Sequence, residues 1–215
     1  VINNEKRLLI DTGSPITISH DNQIEIFGSN YPTEDRYLSA NIDEIGNYVG
    51  CKLDALVGND ILKNFPFTID FVNQAFHIWD TLPIDSDFLE DHIQATFIGI
   101  PTIDIDINKD YQIKSWLDTG AKISYIKKEY VQQSEVIRSE KDFVPDYGEF
   151  ETQIYKFMMT FCNKDIPFEF GVLPSKLENR MLSGSTQSIV GSDIFKFFSL
   201  TFYREKNKIY TKYLL

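Results

Sequence analysis

Cysteine and histidine are both scarce in this chain. Its 215 residues include two cysteines, Cys51 and Cys162, 111 positions apart and outside any CxxC pairing. That is too few for a disulfide framework or a zinc cluster, and two buried, reduced thiols are the expectation. The three histidines, His20, His77 and His92, show no HExxH spacing. Imidazole-ligated metal catalysis and a Ser-His-Asp mechanism are therefore not expected, and neither a metal nor a cofactor is called for. Basic residues are also short, 21 against 32 acidic, a net charge of −11. No surplus of Lys and Arg exists to face phosphates, so no nucleic-acid partner is expected. No apolar run approaches the ~20 residues of a membrane helix. The opening Val1-Ile2-Asn3-Asn4-Glu5-Lys6 lacks the apolar stretch of a leader. Sparse cysteine and the lack of a leader lean toward a cytoplasmic setting.

What the chain has is apolar mass, carboxylate and repetition. Hydrophobic residues make up 42%, and Phe, Tyr and Trp number 17, 11 and 2, so a packed core is expected rather than disorder. Leu8-Leu9-Ile10-Asp11-Thr12-Gly13-Ser14 is echoed by Ser115-Trp116-Leu117-Asp118-Thr119-Gly120-Ala121, at an offset of 107. Leu56-Val57-Gly58-Asn59-Asp60-Ile61 is echoed by Ile189-Val190-Gly191-Ser192-Asp193-Ile194, at an offset of 133, and the echo runs on through Phe65/Phe198 and Thr68/Thr201. The order Asp-Thr-Gly, then apolar-apolar-Gly-x-Asp, thus occurs twice, with 26 further residues between the motifs of the second copy. An acidic, turn-rich stretch divides the copies. The expected organisation is a lobe over 1–82, a linker over 83–92 and a second lobe over 93–215.

Local patterns are mostly those of strands. Thr102 to Ile107 alternates with period two, Asn108-Lys109-Asp110 turns the chain, and Gln112 to Leu117 returns into Asp118. Another hairpin is expected from Gln153–Phe161 and Pro167–Leu173 around Asn163-Lys164-Asp165, and a terminal one around Glu205-Lys206-Asn207. Short helices are expected at Asn59–Asn64, Ser192–Phe197, Asn41–Val49 and Lys127–Ser134. Only ten residues precede Asp11, and Asn3-Asn4-Glu5 resembles the turn before the strand into Asp118. The first strand of the first lobe is therefore expected to be missing from the chain.

The repeated triads have a chemical rationale. A buried strand delivers Asp rigidly, Gly allows a sharp turn with its N–H near the carboxylate, and the Thr hydroxyl can lock one loop to its partner. Two such loops about a pseudo-twofold axis bring two carboxyls together, where like charges cannot both ionise and one proton is shared. One carboxylate can then act as a base on water while the other carboxyl donates to a substrate carbonyl.

The paired Asp-Thr-Gly triads, each followed by an apolar-apolar-Gly strand, resemble the signature of the pepsin/retropepsin superfamily of aspartic proteases. Repeat size is similar to a retroviral protease subunit. The chain therefore resembles two fused retropepsin-like lobes, and Phe143 to Thr152 with Phe170-Gly171-Val172-Leu173-Pro174 is similar to bacterial members of the group. The resemblance implies an all-β, bilobal, pseudo-twofold fold of two β-barrel lobes with a few short helices, acting as a monomer on an extended peptide or protein. It implies Asp11 and Asp118 as the catalytic pair, with Thr12, Gly13, Ser14, Thr119, Gly120 and Ala121 supporting their loops. A single flap is expected in the second lobe, with Tyr147-Gly148-Glu149 at its tip, and an interlobe sheet built with the terminal strand. The Ser14 hydroxyl is expected to reach the Asp11 carboxylate and favour its ionised form, as Ala121 cannot for Asp118. Two other readings stay open: an inert peptide-binding or assembly module on the same scaffold, and an enzyme that processes its own precursor.

Overall fold

The computed structural model describes residues 1–82, 87–96 and 98–215. The described residues fold into strands with three short α-helices and a few 3-10 turns, arranged as two lobes that repeat one plan. In the first, Lys6–Ile10 runs parallel to Ala55–Val57, pairing Ile10 with Val57. In the second, Tyr111–Leu117 runs parallel to Ser188–Val190, pairing Leu117 with Val190. The two registers are equivalent under the sequence offsets, so the repeat is structural. Leu8, Ala55, Val57, Leu117 and Val190 are all buried.

The lobes meet in a five-stranded sheet. Its order is Ala75–Ile78, Phe67–Asp70, Phe198–Tyr203, Lys208–Tyr213, Leu89–His92. At its centre Thr68 lies opposite Thr201, flanked by Ile69 opposite Leu200 and Phe67 opposite Phe202. The two threonine hydroxyls are 2.6 Å apart, and Trp79 Nε1 donates to Thr68 at 2.8 Å. The echoed threonines therefore mark the pseudo-twofold axis, and the terminal hairpin joins the interlobe sheet. Within the 83–92 stretch, 83–86 lie outside the described residues and Leu89–His92 form the edge strand against Lys208–Tyr213. One large hydrophobic core, rich in phenylalanine, runs through both lobes, with a smaller cluster in each.

The lobes diverge between their two motifs. The first has α1 (Ile42–Val49), started by a capping box in which Asn41 and Glu44 exchange hydrogen bonds of 2.9 and 2.8 Å and ended at Gly50 with φ 78°. After the apolar-apolar-Gly motif comes α2 (Asn59–Leu62). The second lobe instead has a long hairpin, Val136–Val144 against Gly148–Phe161, continued by Lys164–Gly171 and then α3 (Ser175–Met181). The turn before Lys164 is Cys162-Asn163, with φ of 47° and 59°, so Lys164 and Asp165 lie in the strand rather than in the turn expected of them. Ile2–Asn3 pairs with Lys6–Arg7 across the turn Asn4-Glu5, giving the first lobe a two-residue leading strand. Of the two thiols expected to be buried, only Cys162 is; Cys51 is exposed where the chain leaves α1.

Candidate active site

Each Asp-Thr-Gly loop is held from behind by its neighbouring strand. Asp11 N–H donates to Val57 O at 3.0 Å, and Asp118 N–H donates to Val190 O at 2.9 Å. The loops then lock together through a reciprocal set of four hydrogen bonds. Thr12 N–H donates to Thr119 Oγ1 (3.0 Å) and Thr119 N–H to Thr12 Oγ1 (3.0 Å). Each hydroxyl in turn donates across the axis, Thr12 to Leu117 O (2.6 Å) and Thr119 to Ile10 O (2.7 Å). Each hydroxyl is satisfied as both donor and acceptor, which favours one geometry over any alternative pairing.

This lock brings the Asp11 and Asp118 carboxyls close enough for each to act on the other, with the glycine of each loop against the carboxyl of the other. Within its own loop, Asp11 Oδ1 accepts from the N–H groups of Gly13 (2.8 Å) and Ser14 (3.1 Å). Asp118 Oδ1 accepts from Gly120 (2.9 Å) and Ala121 (3.1 Å) in the same way. The glycines are required by close approach. A Cβ on Gly13 would lie 2.2 Å from the Asp118 carboxyl carbon, and one on Gly120 would lie 2.4 Å from that of Asp11.

Both aspartates are half-buried, and desolvation raises both carboxyls above the ordinary carboxylate range. Asp11 is raised well above it because the charge of Asp118 adds to its burial. Backbone N–H groups oppose the shift on both sides. Two carboxyls so raised and so close share one proton as a pair. The expectation built on Ser14 is not met. The Ser14 hydroxyl is buried and donates to Ile16 O at 2.7 Å, so it does not reach Asp11, and the backbone N–H groups of Ser14 and Ala121 do the same work for the two carboxyls.

The second-lobe hairpin reaches across to the first lobe. Phe143 stacks on Tyr48 of α1, ring centroids 3.3 Å apart and 11° from parallel. Its turn is Pro145-Asp146-Tyr147, so of the expected tip only Tyr147 lies in the turn, while Gly148 and Glu149 open the returning strand. Tyr147 is exposed and packs edge-on against Phe150, 5.8 Å away. Asp146 is clamped by Arg180 of α3 in a two-pronged pair of 2.8 and 3.1 Å. Deeper in the hairpin, Tyr125 donates to Asp142, and burial pushes both groups up.

Several residues near the pair went unnoticed in the sequence. Tyr37, in the tight Arg36–Tyr37/Ala40–Asn41 hairpin of the first lobe, is pushed up to about 12 by burial, by the charges of Asp11 and Asp118, and by Asp146. Asp142 acts on Asp118 from the hairpin. Tyr37 sits between the two motifs of its lobe, as the long hairpin does in the other, and that shared interval was its one sequence signal. Among the described residues, no group of three or more His, Cys, Asp or Glu could hold a metal ion, and no helix is long and apolar enough to cross a membrane.

No family model matches the chain, and no curated protein sequence matches it. Solved structures do resemble it. A retropepsin-like aspartic protease from Rickettsia conorii is 18% identical, with a TM-score of 0.40 over 62% of this chain and 98% of that one. EIAV protease complexed with the inhibitor HBY-793 is 21% identical, with a TM-score of 0.34 over 48% of this chain and 91% of that one. Basic 7S globulin from soybean is 12% identical, with a TM-score of 0.39 over 68% of this chain and 50% of that one.

Proposed function

We propose that this chain is an aspartic endopeptidase of the retropepsin-like kind, with residues 1–82 and 93–215 as its two lobes, working as a single chain on extended peptides. The observation that carries the reading is the pair of neighbouring, desolvated carboxyls, one from each lobe, held by a reciprocal threonine lock. A binding module needs neither carboxyl, and placing two like charges together is costly unless a shared proton is put to use.

In this mechanism ionised Asp118 takes a proton from a water as the water oxygen attacks the scissile carbonyl carbon. Asp11 gives its proton to the carbonyl oxygen, which becomes a hydroxyl of the tetrahedral intermediate. Collapse of the intermediate breaks the C–N bond. The amine leaves with the proton that Asp118 acquired, and the hydroxyl proton returns to Asp11. The intermediate stays neutral, so the site needs carboxyl groups and no cation. The hairpin over Val136–Phe161 is the flap, and its edge offers backbone groups to an extended substrate. Tyr147 in its turn, with Gly148 and Glu149 at the start of the returning strand, would contact the substrate.

The test is cleavage of an unfolded protein and a peptide library between about pH 3 and pH 8, bracketing free carboxyl values. Wild type runs beside Asp118→Asn, with products read by mass spectrometry. Cleavage by wild type alone is the expected result. A folded wild type that cuts nothing across the range overturns the reading in favour of the inert module.

A further inference from the structure

The two aspartate loops are backed differently, and the difference reaches the far end of the chain. Behind the first loop, Asn59 is only 3% exposed, and its Nδ2 donates to both Thr12 O (2.5 Å) and Ser14 O (3.0 Å). This arrangement holds only while the amide oxygen points the other way. There it accepts from Arg204 Nη1 at 3.0 Å, while Nη2 donates to Gly99 O at 2.7 Å. A guanidinium carries donors alone, so a flipped amide would set donor against donor. Arg204 forms no ion pair among the described residues and is largely desolvated, which lowers its proton affinity. Behind the second loop, the equivalent residue is Ser192, a rotatable hydroxyl 3.0 Å from Ala121 O.

We infer that Arg204 is a positioning residue for Asp11, orienting Asn59 so that its amide holds the Thr12 and Ser14 carbonyls and keeps the Gly13 and Ser14 N–H groups on the Asp11 carboxyl. The inference rests on the endopeptidase reading. Arg204 follows the Phe198–Tyr203 strand of the interlobe sheet, 145 residues from Asn59. The first loop is therefore complete only when that sheet has assembled. Other charged or titratable groups facing the pair are Tyr37 and, through Asp118, Asp142. Asp60, next to Asn59, is taken by the N–H and hydroxyl of Thr17.

Losing Arg204 frees the amide to turn, weakens two N–H bonds to Asp11 and raises its proton affinity further. The test compares Arg204→Met, Arg204→Gln and Arg204→Lys with wild type by steady-state kinetics and by titration of 13C-labelled aspartate carboxyls. In Arg204→Met, kcat should fall about tenfold with KM held within about twofold. The basic limb and the upper carboxyl transition should both move up by about half a pH unit or more. Arg204→Lys, which still presents donors alone, should restore most of both. A folded Arg204→Met with wild-type kcat and titration overturns the inference, even if its melting temperature drops. Should Arg204→Met not fold, Arg204→Gln takes its place, since its amide can present either end, and an unshifted titration there is equally adverse. A wild type without cleavage sinks the endopeptidase reading alone. The carboxyl titration needs no substrate and still decides the role of Arg204.

Discussion

The two lobes place the same loop with the same hydrogen bonds but build different walls around it. From Asp to apolar-apolar-Gly, the first lobe has a tight hairpin bearing Tyr37 and the helix α1. The second uses its additional residues for a long hairpin and α3. The equivalent parts are those whose geometry the carboxyl pair constrains to fractions of an ångström. The divergent parts would meet substrate, which differs on the two sides of a cut. Duplication thus preserves the symmetric centre and frees the periphery.

If the centre is symmetric in effect as well as in geometry, Asp11→Asn and Asp118→Asn should each lower kcat/KM by more than about a thousandfold. A variant that kept substantial activity would show that one carboxyl is dispensable and break the equivalence. Next in size are the glycines. Gly13→Ala and Gly120→Ala each push a methyl into the opposite carboxyl, so each should cost about 1–3 kcal/mol or more in denaturant unfolding. A tolerated alanine on one side alone would mean that the loops are not equally tight.

A smaller effect separates the two carboxyls. The raised proton affinity of Asp11 means that the folded state binds more protons than the unfolded one, from about pH 4 up to its folded value. Stability should fall as pH rises through that window, and Asp11→Asn should flatten the slope and raise the melting temperature near neutrality. A wild-type melting temperature that climbs over the same window would show that the folded pair keeps no extra proton. Smallest is the contact that only one lobe can make. Tyr48→Ala removes the Phe143 stack, an aromatic pair worth roughly 0.5–1.5 kcal/mol, and should raise KM by about two- to tenfold with kcat little changed. An unchanged KM would detach the hairpin from substrate binding.

Much of the centre was legible in the linear chain because it rests on local rules used twice. The offsets of 107 and 133 placed both aspartates, both parallel strand partners and the axial threonines. The helix expected over Asn41–Val49 is α1, with Asn41 as its cap. Helix α3 went unread because Pro174 precedes it with no side-chain cap and its seven residues hold one buried apolar position, Leu177. Ser14 was misjudged for a related reason. Its hydroxyl had two acceptors within reach, Ile16 O and the carboxylate, and only the folded turn selects between them.

What the sequence determined by itself is the pair of loops: a strand, a carboxyl, a hydroxyl and a glycine are enough, since each acts within a few residues. Tertiary structure decided what those loops feel. The proton kept by the carboxyl pair depends on desolvation and a second charge, the raised Tyr37 on a neighbourhood drawn from both lobes, and the Asn59 amide on a guanidinium 145 residues away. Desolvation and Coulomb energies follow distance in space and the material between the charges, neither of which is written in residue order.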